Sequence, residues 1–192
     1  AALTQNYTSA IKSETFSTVF NFTNSKLDNI SLLTGVLKEN DTFIFSKGEG
    51  ALNYEGSNPT SVFTGINLGH VFKNDISLSF TGTIAQSELN QGKTSLMQGG
   101  SNIISSSFNS TLVRKNAFRN NDRLSFSIAQ PNKVERGSMN IRLPGLADEE
   151  GNLSYTNTDI GLSPSGRQID LSIDYVTAIS NNFEVGFKAS IV

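Results

Sequence analysis

The amino-acid sequence predicts an all-β fold, an antiparallel meander that forms a β-barrel or a sandwich of roughly 8–12 strands. Three observations support this prediction. Apolar and polar residues alternate along most of the chain, clusters of Asn and Asp separate the alternating runs, and short turns alternate with longer polar connections. This rhythm is typical of strands that pair in the order in which they occur in the sequence.

The alternation is clearest near the end of the chain. Phe183, Val185, Phe187, Ala189 and Ile191 alternate with polar or small residues. The same period recurs in 76–81, 123–128 and 168–175. Because successive strand side chains point to opposite faces, each run predicts a strand with one apolar and one polar face.

Turn-forming residues lie between these runs, at 73–75, 119–122 and 180–182, and a further turn is predicted at 46–50. Asn and Asp tolerate left-handed backbone and bond their own main chain, so they close tight turns. Longer polar connections are predicted from about residue 86 to 100 and from 144 to 152.

The first 30 residues fit two patterns. Phe16, Val19 and Phe20 have helical spacing, whereas 15–22 also reads as a strand rich in Thr and Phe. We favour the strand.

Composition excludes several classes of protein. The 192 residues contain no cysteine, which rules out disulfides and thiolate metal sites. The net charge of −2 gives no basic surface for nucleic acid, and no apolar run approaches the ~18 residues of a membrane-spanning helix. We predict a single β-domain over 1–192. The start at Ala1-Ala2-Leu3 favours a fragment of a longer exported protein.

Several segments together resemble a known family. They are the 35–43 segment (GVLKENDTF), 48–52 (GEGAL), 105–108 (SSSF), 122–131 (DRLSFSIAQP), 134–137 (VERG), 139–144 (MNIRLP) and 160–171 (IGLSPSGRQIDL). In this order and spacing they are similar to the C-terminal β-domain of autotransporter-like, subtilisin-family serine proteases exported by Gram-negative bacteria. The resemblance implies a non-catalytic module that supports the anchoring, export or folding of an upstream domain of the same polypeptide.

We expect no enzymatic activity in this segment. A subtilisin-type triad needs a nucleophilic Ser, a His and an Asp. The chain has one histidine, His70, and no nucleophile motif of the Gly-Thr-Ser type. We interpret His70 as a partly exposed residue at the edge of a strand.

The sequence contains one dense cluster of carboxylates, the kind of side chain that binds calcium. Asp148, Glu149 and Glu150 are consecutive, whereas calcium loops normally place their ligands at alternate positions. We therefore predict a solvated turn, with no metal and no cofactor.

Five residues of the two most specific segments form the predicted structural motif: Gln130, Pro131, Pro164, Gly166 and Arg167. Pro164 fixes the backbone and Gly166 frees it, so the segment reads as a shaped turn that enters a strand. Two partners are conceivable for Arg167, namely Asp170 and Glu135.

The sequence leaves open which way the apolar strand faces point. In a soluble domain they form a core, and in an outer-membrane barrel they face lipid. The absence of Trp, the four Tyr and the short apolar runs slightly favour a water-soluble surface domain. The resemblance favours a translocator barrel.

Three functions follow from these alternatives. The first is the protease-associated β-module, secreted or at the cell surface. The second is a structural or adhesive protein that self-associates through edge strands. The third is an outer-membrane translocator barrel.

Overall fold

The computed structural model describes residues 2–8, 11–23, 28–43, 50–90, 96–180 and 183–192. These residues form ten strands and a short 3-10 helix, Gly50–Leu52. The strands are β1 (Ala2–Thr8), β2 (Ile11–Thr23), β3 (Asp28–Asn40), β4 (Thr60–Val71), β5 (Ile76–Leu89), β6 (Met97–Lys115), β7 (Asp122–Ala147), β8 (Leu153–Gly161), β9 (Asp170–Ser180) and β10 (Phe183–Ile191).

All ten strands belong to one antiparallel sheet. Nine of them follow a single path in the order β1-β2-β3-β4-β5-β6-β7-β9-β10, and β8 pairs with β7 outside this path. The sheet is not closed. The predictions of an all-β antiparallel meander and of a strand near residues 15–22 are therefore confirmed.

Strand β7 is 26 residues long and carries two partners along one edge. Its first part, from Asp122 to Ala129, pairs with β9. Its last part, from Ser138 to Ala147, pairs with β8. Both partners run antiparallel to β7, so β8 and β9 run in the same direction, and the link 162–169 spans the stretch of β7 between them.

Cross-strand pairing divides the side chains of the sheet into two faces. Phe16, Val36 and Val62 form one cross-strand row, and the same register continues through the later strands. We call this side the apolar face. Its large side chains that are more than a third exposed are Phe16, Phe20, Phe22, Ile30, Leu32, Val62, Ile66, Leu68, Leu78, Ile84, Leu112, Phe126, Leu171, Ile173, Val185, Phe187 and Ile191.

The opposite side, which we call the polar face, is rich in Ser and Thr and is the inner side of a curved sheet. Thr15 on β2 and Asn132 on β7 line the same cavity of about 390 Å³ on this face. In a flat sheet five strand spacings would separate β2 from β7 by ~24 Å. The sheet therefore curls round its polar face and leaves the apolar face on the outside.

The buried core is small and lies at one end of the sheet. Phe43, Leu89 and Ile103 form it, with Tyr54, Val134, Met139 and Leu162 packed against them. The connection between β3 and β4 reaches this core. It is held by hydrogen bonds from the Glu39 amide to the Pro59 carbonyl, 3.0 Å, and from the Asp41 amide to the Ser57 carbonyl, 3.1 Å.

The expectation that slightly favoured an apolar face turned inward to a core is wrong for this structure. The alternating apolar residues stay exposed, because the sheet curls towards its small polar side chains.

The predicted tight turns agree with the backbone. Asn74 and Asp75 have φ values of 65° and 60°, and Asn121 has a φ of 65°. These left-handed conformations are the ones that Asn and Asp tolerate. Most of the turn predicted at 46–50 and residues 181–182 lie outside the described residues.

The long connections were predicted with the wrong limits. Strand β5 continues to Leu89, β6 begins at Met97, and β7 continues to Ala147. Gly99 and Gly100 do not alternate with apolar residues, yet they pair with Asn140 and Met139 of β7. Backbone pairing with a neighbouring strand needs no side-chain pattern, so alternation alone missed these strand ends.

Within the described ranges, no helix has the length and apolarity that crossing a membrane would require.

Candidate functional site

The apolar face is bounded by polar residues at both ends of the strands. At the end with the long connections, Glu14, Lys38, Thr60 and Glu88 form one cross-strand row. At the end with the tight turns, His70 on β4 and Arg114 on β6 follow the last apolar residues of this face. Thr60 and His70 are ten residues apart on β4. The apolar face is therefore a band between two polar borders.

Aromatic side chains gather at the tight-turn border. The ring centroids of His70 and Phe72 are 4.3 Å apart, and those of Phe118 and Tyr175 are 5.7 Å apart, both pairs edge to face. Phe72 is 45% exposed and Phe118 is 73% exposed. The numbers of Trp and Tyr in the sequence do not indicate this cluster, because Phe supplies two of its four rings. His70 lies near the end of β4 and is exposed.

The turn that carries Phe118 is organised by one carboxylate, which sequence reasoning did not single out. Asp122 is 2% exposed. It accepts hydrogen bonds from the backbone amides of Ala117, Phe118 and Arg119 at 2.6, 3.0 and 2.8 Å, and from the Tyr175 hydroxyl at 3.0 Å. Burial raises the pKa of Asp122, but these hydrogen bonds outweigh it, so the pKa is lowered overall.

The polar face carries hydroxyl groups that bond across strands. Ser61 and Ser87 are buried and their hydroxyl oxygens are 2.7 Å apart. Those of Ser127 and Ser172 are 2.6 Å apart. This face has the composition of a water-lined surface, while the apolar band has that of a surface that avoids water.

The five residues of the predicted motif meet at the gap in the edge of β7. Gln130, Pro131, Pro164, Gly166 and Arg167 all line one open cavity of about 750 Å³. Gln130 and Pro131 belong to β7, and the other three lie in the link between β8 and β9. The link is held by the Leu162 amide, which donates to the Gly137 carbonyl at 3.0 Å.

A polar cluster ties the link to the strands behind it. Arg167 donates from one nitrogen to both carboxylate oxygens of Glu135, at 2.9 and 3.0 Å, and from the other to the side-chain oxygen of Gln130. The Ser106 hydroxyl donates to Glu135 at 2.6 Å. Of the two partners considered for Arg167, the structure has Glu135; Asp170 instead accepts from Gln168 at 2.8 Å.

The surroundings of Glu135 favour its charged form. The hydrogen bond from Ser106 lowers its pKa most, burial opposes this, and the cations of Arg167 and Lys133 lower it further. The Ser163 hydroxyl also donates to the Glu135 backbone carbonyl at 2.9 Å. This arrangement closes a gap between strands.

The acidic cluster forms a turn between β7 and β8. Asp148 accepts from the amides of Glu150 and Asn152, at 3.1 and 2.6 Å, and its pKa is lowered chiefly by Asn152. In the part of the chain that the structure describes, no group of three or more acidic or histidine residues has the arrangement of a metal site, and Glu149 does not join Asp148 and Glu150 in one.

Comparison with known proteins gives no match, because no family model, no curated protein and no solved structure matches the chain. The resemblance to protease-associated β-domains rests on the sequence segments alone.

Proposed function

We propose that this chain is a non-catalytic β-module that anchors an upstream domain of the same polypeptide in the outer membrane, with its apolar face against lipid. The observation that carries the proposal is the exposed apolar face, which runs without interruption from β2 to β10. Among the three functions that the sequence allowed, this choice combines the anchoring module with the membrane barrel.

The size of the apolar face argues against permanent contact with water. The largest apolar patch of a typical water-soluble monomer is ~300–600 Å². Here large side chains are more than a third exposed on eight neighbouring strands, such as Phe20 and Phe126 at 50% and 49%. Exposing them to water costs about 25 cal/mol for each Å², so a stable state needs something to cover them.

The dimensions of the band suit a lipid bilayer. The ten residue steps from Thr60 to His70 extend ~33 Å along the strand. At the ~35–45° tilt of membrane barrel strands, that length spans ~25 Å along the bilayer normal, the height of the apolar band in such barrels. Strands β2 to β7 have 12 to 26 residues, enough for the ~9–11 residues of a spanning strand.

The short apolar runs and the scarcity of Trp and Tyr, which favoured a soluble domain, do not argue against contact with lipid. The apolar runs are shorter than the strands that contain them, because polar residues continue each strand past the band. The interface aromatics are supplied by Phe72, Phe118 and Tyr175 in place of Trp. Export by a Gram-negative bacterium, which the family resemblance implies, would bring the chain to such a membrane.

Two adjacent residues on β4 provide the test. Ile66 is on the apolar face and is 39% exposed, and Asn67 is exposed on the polar face. The variants Ile66→Glu and Asn67→Glu add the same charge one residue apart. Folding into phosphatidylcholine vesicles would be followed by circular dichroism and by flotation with the vesicles.

We expect Ile66→Glu to lower the folded, vesicle-bound fraction on the order of tenfold or more, since a charge on the lipid face is costly. Asn67→Glu should resemble the wild type. The proposal would be overturned by a wild-type chain that is folded and monodisperse without detergent and does not float with vesicles.

A second function is favoured by one observation. Strands β1 and β10 each pair on one side only among the described residues. Unpaired edges are templates for strand addition, so we also propose self-association through these strands. Sedimentation of the folded chain over a range of concentrations tests it, and a monomer at every concentration would contradict it.

A further inference from the structure

The tight-turn end of the sheet carries a cluster of exposed cations, which we call the basic rim: Lys73, Arg114, Lys115, Arg119 and Arg123. The turns that carry them are neighbours. The Lys115 amide donates to the Asp75 carbonyl at 2.9 Å, and the Asn116 side chain donates to the Asp75 carboxylate at 3.0 Å. Residues distant in the sequence are thereby brought to the same end of the sheet.

Among the described residues, nearby carboxylates form no salt bridges with these cations. Asp75 accepts from Asn116, and Asp122 is saturated by three backbone amides and a hydroxyl. Within the described ranges, salt bridges involve Lys133, Arg167 and Lys188, and none of the basic-rim residues. The charges of the basic rim are therefore available to an external anion.

Two of the cations face each other directly. Lys115 and Arg123 are cross-strand partners in register with the polar face, and both line an open cavity of about 930 Å³ to which Asp122 and Glu184 also contribute. Like charges in this position destabilise a sheet by repulsion. An anion bound between them would remove that cost.

The cations also border the apolar face. Arg114 lies in a cross-strand row between Ile76 and Leu124, at the limit of the band. Lys73 and Arg119 lie in the turns beside the exposed rings of Phe72 and Phe118. Cations and aromatic rings at the edge of an apolar surface are the combination that fits a lipid headgroup layer.

The end of the sheet with the long connections, opposite the basic rim, is rich in acidic residues. Its exposed acidic residues include Glu55, Glu88, Asp148, Glu149, Glu150 and Asp159, alongside Lys38, Arg136 and Arg142. The chain as a whole has a net charge of −2, so attraction to an anionic surface can come only from a local arrangement. The two ends of the strands are thus electrically distinct.

We propose that the basic rim binds the phosphate groups of anionic phospholipids. This contact orients the sheet in the membrane, with its tight-turn end at the leaflet that contains these phospholipids. The inference rests on the proposed membrane function and names the lipid chemistry at one border of the same surface. It commits to lipid because Arg114 lies in an apolar-face row and Lys73 and Arg119 lie in the turns beside that row.

The test compares two triple variants of the chain. Lys73→Gln/Arg114→Gln/Arg119→Gln removes three charges of the basic rim, and Lys38→Gln/Arg136→Gln/Arg142→Gln removes three from the opposite end. Each variant loses three positive charges from a chain whose net charge is −2, so the two variants have the same net charge. Partitioning is measured into vesicles of phosphatidylcholine alone and of phosphatidylcholine mixed with phosphatidylglycerol, and circular dichroism checks that each variant folds.

We expect the wild type and the opposite-end variant to prefer the mixed vesicles. The preference of the basic-rim variant for mixed vesicles should be smaller than that of the wild type on the order of a hundredfold, about fivefold for each charge removed. This variant should still enter phosphatidylcholine vesicles. High salt should reduce the wild-type preference in the same way. If the triple variant does not fold, the single Arg119→Gln variant in the exposed turn carries the comparison.

Two results would overturn the proposal while leaving the membrane function intact: equal partitioning of the wild type into both kinds of vesicle, and equal loss in both triple variants. A tight complex with a soluble anionic polymer that abolishes the lipid preference at trace concentration would also count against lipid as the occupant. Failure of the wild type to enter either kind of vesicle would instead overturn the membrane function itself.

Discussion

The ring of Phe63 on β4 lies directly over Gly35 on β3, its cross-strand partner. A Cβ atom at Gly35 would come within 2.6 Å of the Phe63 Cζ atom and within 2.5 Å of the Phe16 carbonyl oxygen. The missing side chain thus makes room for an aromatic ring on the polar face. This contact lets three neighbouring strands approach closely where the sheet curls.

Substitution of Gly35 by Ala should therefore destabilise the fold. The added methyl group meets backbone on one side and a packed ring on the other, so we expect a loss of about 1–3 kcal/mol in the free energy of unfolding. Urea unfolding followed by circular dichroism measures it. Gly69→Ala is the matched control, because a Cβ there has ordinary contacts at 3.8 Å or more. Equal stability of the two variants would contradict the close fit.

The small core at one end of the sheet should be sensitive to truncation. Ile103 is fully buried among Phe43 and Leu89. Ile103→Ala should lower the free energy of unfolding by about 2–5 kcal/mol, through lost burial and the cavity that remains. Leu146→Ala should change it by about 0.5 kcal/mol or less, because Leu146 is 92% exposed. A small effect at Ile103 would mean that the core collapses readily round the deletion.

Stability should depend on pH through carboxylates whose pKa is lowered in the folded chain. The pKa of Asp122 lies below its ordinary value of about 4. The stability that its ionised form contributes is present above pH ~4 and is lost as the pH falls through the folded pKa. The midpoint of urea unfolding, measured at a series of pH values, should therefore fall on the acid side.

Variants at the Asp122 turn separate this contribution from others. Asp122→Asn should flatten the acid side of the pH profile, since the amide has no proton to gain in this range. Tyr175→Phe removes only the hydroxyl donor and should flatten it less. An unchanged acid slope in Asp122→Asn would show that other carboxylates, such as Glu135 and Asp148, dominate the profile.

The link between β8 and β9 should loosen when Arg167 is removed. Arg167→Ala deletes the contacts to Glu135 and Gln130, and hydrogen exchange should become faster at the Leu162 amide. Strands β2 to β5 should keep their protection. Lys188→Ala, which removes a more exposed pair with Asp174 at 4.0 Å, serves as the control. Unchanged exchange in the link would mean that the backbone bonds alone hold it.

The fold class could be predicted because side-chain alternation and Asn-rich turns are local signals. They marked the strands round Leu78, Phe126, Ile173 and Val185 correctly. The ends of β5 and β6 were missed, since Gly99 and Gly100 are held by backbone pairing with β7. Strand β8 was missed for the same reason, as its pattern is broken by polar residues.

The candidate site could be predicted only in part. The motif residues were selected together, but the choice between Glu135 and Asp170 as the partner of Arg167 depends on how the link folds across β7. The same alternating pattern suits a core and a lipid surface, so the direction of the apolar face needed the curvature of the sheet. Asp122 follows two Asn residues in a predicted turn, and that signal could have identified it as a capping carboxylate.

The strand path has a consequence for closure. Nine strands that are each antiparallel to their neighbours leave β1 and β10 pointing the same way. A single copy that joined these edges would need a parallel pair. Two copies related by a two-fold axis would instead join β1 to β1 and β10 to β10, both antiparallel, in one continuous ring. The odd parity of the path therefore means that antiparallel closure requires either a further odd number of strands or a second copy of the chain.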